Sequence, residues 1–170
     1  MVILALGSNL SSSFGDRFEN IELALAYLDS YNIKIIKKSS FFETPSFPNH
    51  KNPKFINIVI EVFTSLPPVD LASVLIYVEE KLERKRINKN DPRTCDIDII
   101  DYNRKNIEFT YNNLKFVVPH ESLVSRNFVL FPLKEISSNW IHPKTNESID
   151  TLIENLPDDD KKSILKVKKP

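Results

Sequence analysis

The sequence predicts an α+β fold of order β-α-β-β-α-β, with an antiparallel-rich sheet and both helices on one of its faces. Three observations carry this. Short apolar or β-branched runs punctuate the first hundred residues at Val2–Leu6, Ile33–Phe42, Phe55–Phe63 and around Cys95–Ile99. Apolar residues recur every three or four positions after the first run and again after the third, which is the helical period. Thr44–Pro53, joining the two middle runs, holds three prolines and reads as a loop. This order is the ferredoxin-like split βαβ pattern, a sandwich here followed by a C-terminal extension. Such a fold names no function by itself.

Each element has a local reason. Val2–Leu6 is a short apolar run that suits a central strand, and Ser8, Asn9 and Ser11–Ser13 make a polar loop after it. Phe18, Ile21, Leu25 and Leu28 lie on one stripe, so a helix is expected from about Phe14 to Asp29. Ile33–Phe42 is expected as one strand with mixed faces, and Phe55–Phe63 as the longest strand. Pro67 and Pro68 open the second helix, as proline does at helix starts. Leu71, Val74, Leu75, Val78 and Leu82 give that helix its buried stripe. A basic loop leads to the fourth strand. Asn103–Val118 has room for one hairpin, and Ser125–Glu135 reads as a helix interrupted by Pro132. The domain boundary is placed at residues 1–157, with 158–170 a charged, loosely ordered tail.

Composition narrows the function. The chain has 170 residues, 41% hydrophobic and 27% charged, enough for a real core. Formal net charge is zero, so no global field draws nucleic acid or an anionic membrane. The single cysteine excludes an internal disulfide and fits a reducing compartment. The apolar start is too short for a signal peptide or membrane span, so a cytoplasmic protein is expected. Only two glycines occur, which excludes a Walker loop and a Rossmann fingerprint. Phosphate binding would then fall to side chains and metal.

Charge is concentrated locally. Between Lys81 and Arg93 six basic residues stand against two acidic ones. The strand that follows, Cys95-Asp96-Ile97-Asp98-Ile99, alternates, so Asp96 and Asp98 project to one face while Cys95, Ile97 and Ile99 enter the core. Two carboxylates on an otherwise buried strand are costly unless cations meet them. Carboxylate oxygens suit Mg²⁺, and the guanidiniums of Arg84, Arg86 and Arg93 suit phosphate. Their combination suggests a nucleotide site. A solvated strand face and a solvated basic loop are the plain alternatives. An RNA-binding module is a rival from another class, but zero net charge and the aspartate pair oppose it. Another phosphoryl-type transferase on the same scaffold is the rival among enzymes.

Further motifs combine with this pair. They are Leu6-Gly7-Ser8-Asn9-Leu10, Ser39–Pro45, Phe55-Ile56-Asn57, Thr64-Ser65-Leu66, Glu79, Arg84-Lys85-Arg86, Pro92–Ile99, Val118-Pro119-His120 and Arg126–Leu133. In this order the chain, from Leu4 to about Ile136, resembles the hydroxymethyldihydropterin pyrophosphokinases of folate biosynthesis. The resemblance implies transfer of pyrophosphate from MgATP to the hydroxymethyl group of a reduced pterin, with release of AMP. It implies that Asp96 and Asp98 hold two Mg²⁺ ions, with Asp98, Arg84, Arg86 and Arg93 catalytic. It implies that Thr44, Pro45 and Asn57 line the pterin pocket, with Phe55 and Phe128 clamping the ring. Glu79, Arg84, Arg86, Ile99, His120 and Arg126 would surround ATP. The implied partners are these two small molecules, bound by a monomer, with no nucleic acid and no membrane. No separate base is assigned, since a metal-bound alcohol beside Asp98 would need none.

The chain also departs from the family pattern. Glu83 stands where many relatives have glycine, Ile76 replaces a polar residue, and the loop Ile87–Asp91 lacks an Arg-Trp pair and is shorter. This loop is the expected lid. Its alteration keeps open a homologue that binds pterin or nucleotide without turnover.

Overall fold

The structure, a computed structural model, describes every residue from Met1 to Pro170. Its core sheet is antiparallel throughout. The strands are β1 (Val2–Ser8), β2 (Lys34–Lys38), β3 (Phe41–Thr44), β4 (Phe55–Phe63) and β5 (Asp96–Tyr102), joined by a late strand, β8 (Leu165–Val167). They run β5-β1-β4-β3-β8, and β2 pairs with β4 ahead of β3. The expected strand Ile33–Phe42 is thus two strands along one partner. The break falls at Ser39. Its hydroxyl accepts the Val59 amide at 3.0 Å, so a side chain replaces a ladder bond and the strand bends there.

Helices α1 (Arg17–Ser30) and α2 (Pro68–Lys81) cover one face, as the pattern predicts. Ile21, Leu28, Leu71, Val78 and Leu82 meet Leu4, Leu6, Ile56, Ile58, Ile97 and Ile99 there. α1 begins later than Phe14 because Asp16 caps it. The Asp16 carboxylate accepts the Phe18 and Glu19 amides, and the Glu19 carboxylate returns to the Asp16 amide. Gly15 permits this turn: at φ +148°, a Cβ would lie 2.1 Å from Glu19 Oε2.

The extension covers the opposite face, making three layers. A hairpin, β6 (Ile107–Tyr111) and β7 (Leu114–Val118), fills the expected place. α3 (Asn127–Ile136) and α4 (Ile149–Glu154) follow, and with Trp140 they bury Ile3, Ala5, Val59 and Ile100. α3 continues through Pro132 rather than stopping. Val129, Leu130 and Leu133 are fully buried against the sheet, and that packing outweighs one missing helix bond. The segment 158–170 is also not loose. It forms α5 (Asp158–Ser163) and then β8, which pairs with β3 through Phe41–Val167, Phe42–Lys166 and Glu43–Leu165. Charge composition hid this, because β8 needs only backbone bonds to an available edge. No helix is long and apolar enough to cross a membrane.

Candidate active site

Sheet register builds the floor of the site. Asp96 pairs with Gly7, Gly7 with Asn57 and Asn57 with Phe42, one row across four strands. In the neighbouring row Asp98 pairs with Ala5, and Ala5 with Val59. Residues opposite one another share a face, so the aspartate pair, Asn57 and, two residues earlier, Phe55 look the same way. The predicted alternation of β5 holds: Cys95, Ile97 and Ile99 are buried in the helix-covered core. Gly7 leaves the floor open. A Cβ on it would stand 3.1 Å from Asn57 Oδ1 and 3.4 Å from Phe55 Cδ1.

One end of this floor is uncharged. Asn57 Nδ2 donates to Thr44 Oγ1 at 3.0 Å and to the Phe42 carbonyl at 3.4 Å. That leaves the carboxamide oxygen of a buried residue without a protein donor, beside Gly7. Pro45 follows β3 directly and is half-buried. Asn9 joins the surrounding loops. Its Nδ2 donates to Ser46 Oγ and the Pro53 carbonyl, and its Oδ1 accepts the Arg93 amide at 2.7 Å. Sequence reasoning gave Asn9 no role, although it lies in the motif after β1 that carries the resemblance.

The other end is ionic, and the end of α2 explains why. The Glu83 amide donates to the Glu80 carbonyl at 3.0 Å and the Arg84 amide to the Glu79 carbonyl at 3.0 Å. This is a Schellman termination, with Glu83 in the left-handed position at φ +66°. Glycine suits that conformation better. Glu83 is held in it by bonds from the Ser13 amide, at 2.9 Å, and the Ser13 hydroxyl. The turn throws Arg84 back over α2, where Nη1 reaches Glu79 Oε1 and Asp96 Oδ1, each at 2.6 Å. Arg86 meets the second oxygen of Glu79. Arg93 Nε and Nη2 meet Asp96 Oδ2 at 2.9 and 2.7 Å, and Arg126 Nη1 meets Asp98 Oδ2 at 3.0 Å. Two of these guanidiniums also lie over the expected clamp rings, Arg93 at 5.0 Å from the Phe55 centroid and Arg126 at 5.5 Å from that of Phe128. Each aspartate is thereby linked through one arginine to one ring.

The acids differ in ionisation. Burial pushes Glu79 up to about 7, against the pull of Arg84, Arg86 and the Ile97 amide. Burial also opposes ionisation of Asp96, but Arg93 and Arg84 prevail and hold it well below the carboxylate range. Asp98 moves the other way, raised by burial and then by the charge of Asp96. Burial lowers His120, which faces the opposing pull of Asp98. Its Nδ1 accepts the Ser122 amide at 3.0 Å, so the neutral ring carries its proton on Nε2.

Beside the aspartates a cleft of about 250 Å³ opens between α2, the free edge of β5 and β7. Glu79, Arg86, Asp96, Asp98, Ile99 and His120 line it, so one wall gathers most of the expected nucleotide residues. Arg84 lies behind it, only 9% exposed. Ile76, the departure that the resemblance sets near the nucleotide, also lines the cleft, as do Lys115 and Phe116, which carry no such expectation because nothing local marks a hairpin as a wall. Among Asp, Glu, His and Cys no cluster of three or more could close a cage of protein ligands on a cation. Two carboxylates on one face with the rest left to substrate oxygens and water is a donor set that fits Mg²⁺.

Comparison with known proteins gives the family. A family profile described as 7,8-dihydro-6-hydroxymethylpterin-pyrophosphokinase matches residues 3–138. The 2-amino-4-hydroxy-6-hydroxymethyldihydropteridine pyrophosphokinase of Bacillus subtilis is 37% identical over 148 residues, 86% of this chain and 84% of its own length. Folic acid synthesis protein fol1 of Pneumocystis carinii is 36% identical over 96% of this chain, which spans only 21% of that longer protein. The crystal structure of wild-type Plasmodium falciparum HPPK-DHPS shares the fold, with TM-score 0.70 and 18% identity over 89% of this chain and 43% of that one. The chain belongs to the 7,8-dihydro-6-hydroxymethylpterin-pyrophosphokinase family.

Proposed function

We propose that this chain carries out the pyrophosphoryl transfer of its family in folate biosynthesis through the site on the open sheet face. The hydroxymethyl oxygen of a reduced pterin attacks the β-phosphorus of ATP, the bond to the α,β-bridging oxygen breaks, and AMP leaves. The observation that carries this is the register that lays Asn57 and Asp96 in one row, either side of Gly7. An amide pocket for a heterocycle and an acidic centre for a nucleotide thus share one floor.

Thr44, Pro45 and Asn57 line the pterin pocket in this reading, and Phe55 and Phe128 hold the ring by its faces. Asn57 Oδ1 is free to accept from an amine of the heterocycle. Glu79 fixes Arg84 and Arg86 in the nucleotide wall, and Arg93 and Arg126 keep N–H donors to spare for phosphate oxygens. His120 offers its Nε2 proton to the same charge. Ile99 contributes an apolar wall. Asp96 and Asp98 would hold two Mg²⁺ ions, which supply charge neutralisation of the triphosphate and align attacking and leaving oxygens. No separate base is assigned: the alcohol beside Asp98 would lose its hydroxyl proton more readily with metal bound. In this reading the protein works as a monomer, and a cytoplasmic setting fits its single free cysteine. A binding-only homologue draws no support: Asp96 is joined to Arg84, Arg86 and Arg93 in one network through Glu79, and Asp98 pairs with Arg126 beside it.

Purified protein incubated with ATP, Mg²⁺ and hydroxymethyldihydropterin is expected to form AMP only when pterin is present, and to stop with EDTA. ADP as product, or AMP formed without pterin, would refute the assignment.

A further inference from the structure

The extension does more than cover the sheet. Asn127 stands between Arg126, which binds Asp98, and Phe128, one of the two proposed clamp rings. Its own side chain turns away from both. It is 8% exposed, and Nδ2 donates to the Asp160 carbonyl at 2.7 Å and to Ser163 Oγ at 3.1 Å. Ser163 Oγ closes the triangle by donating to the same Asp160 carbonyl at 3.0 Å. Arg126, the residue before α3, makes no side-chain cap, so its side chain leaves the first turn without that support. Two residues beyond Ser163 the chain enters β8, which pairs with Phe41–Glu43 immediately before Thr44. A single covalent run of ten residues, 158–167, therefore ties the α3 wall of the pterin pocket to the β3 wall.

We propose that Asn127 is a positioning residue for pterin. Its lock onto α5 fixes Phe128 against Thr44 and Asn57, so that segment 158–167 sets the width of the pocket. This rests on the proposed pterin site. The nucleotide cleft lies against α2 and β7, away from this strap; of the proposed nucleotide residues only Arg126 adjoins it, and Arg126 is held by Asp98, so KM for ATP is expected to hold. Small errors in spacing are costly when two rings must meet a flat heterocycle on both faces.

The test is steady-state kinetics with each substrate varied in turn, on Asn127→Ala, Ser163→Ala and Ser163→Thr. KM for hydroxymethyldihydropterin is expected to rise roughly tenfold in Asn127→Ala and by a smaller factor in Ser163→Ala. Ser163→Thr keeps the hydroxyl and should restore it, while KM for ATP moves less than about twofold throughout. If Asn127→Ala fails to fold, the Ser163 pair carries the same comparison. A lowered melting temperature with both KM values unmoved, or with both raised equally, would overturn the inference and leave Asn127 a purely structural residue. Wild-type protein that makes no pterin-dependent AMP would instead overturn the reading of the site, and this inference with it.

Discussion

Asp98 and Asp96 are two residues apart on one strand yet are held differently. Asp96 is gripped by two guanidiniums and Asp98 by one, Arg126. Substituting Asp96 would also take one of two carboxylate partners from Arg84, which is only 9% exposed, and so mix a folding defect with a chemical one. Asp98→Asn is the cleaner probe. It keeps shape, removes one charge and leaves Arg126 exposed enough to be solvated. We expect AMP formation to fall by roughly 10²–10⁴-fold, the range for losing a group that positions or stabilises transferring charge. Melting temperature should stay near that of wild type. Turnover retained at a large fraction of wild type would remove Asp98 from the machinery. Glu79 is a different kind of acid. It is 2% exposed, and its work is to aim Arg84 and Arg86, so its effect on rate runs through them.

At the scale of elements, what was legible in the sequence was whatever has a local cause. The β5 alternation, the proline start of α2 and the apolar stripe of α1 depend on near neighbours, and all stand as read. What was hidden depends on partners far along the chain. The split of Ile33–Phe42 arises at Ser39 because Val59 lies across from it. The pairing of β8 with β3 joins positions more than a hundred residues apart. The candidate site follows the same rule: the short motifs name residues that the fold gathers around one floor, whereas nothing local points to Lys115 and Phe116. Glu135 shows how such distant elements are tied. It accepts the Ser40 amide at 2.9 Å and the Ser40 hydroxyl at 2.8 Å, and pairs with Lys166 at 3.2 Å. Partial burial favours its protonated form, but the Ser40 bonds and Lys166 outweigh it and its pKa is lowered. A lowered carboxylate pKa adds stability that is present above the unfolded value near 4.5 and is lost as pH falls through the folded value. Glu135→Gln should therefore cost up to about 1 kcal/mol at pH 7, the size of a partly exposed pair, and nothing in acid below the folded value. Thermal unfolding of both proteins across that range is the measurement, and a constant difference at all pH values would show that the charge is irrelevant.

The whole molecule is a sheet with a helical layer on each side, and its site opens where the second layer stops short of the strand ends. That placement makes the extension part of the folded unit, and Trp140 with Asp101 is where this can be tested. Asp101 is fully buried. One oxygen accepts the Arg104 amide at 2.7 Å and the other the Trp140 indole N–H at 2.9 Å. The contact thus joins β5, which carries both site aspartates, to the chain between α3 and α4. Trp140→Phe removes the donor and leaves a buried carboxylate oxygen unpaired, a cost of about 1–3 kcal/mol before the lost packing is counted. For a chain of this size each kcal/mol lowers Tm by roughly 2–4 °C. We expect a single unfolding transition shifted down by roughly 2–12 °C, with slow amide exchange lost together in β5 and α3, because both hang on the same buried bond. Two separate transitions, or a shift felt by α3 and α4 while β5 stays protected, would mean that the extension unfolds on its own. The sheet would then hold its aspartates without help from the layer beneath the pterin wall.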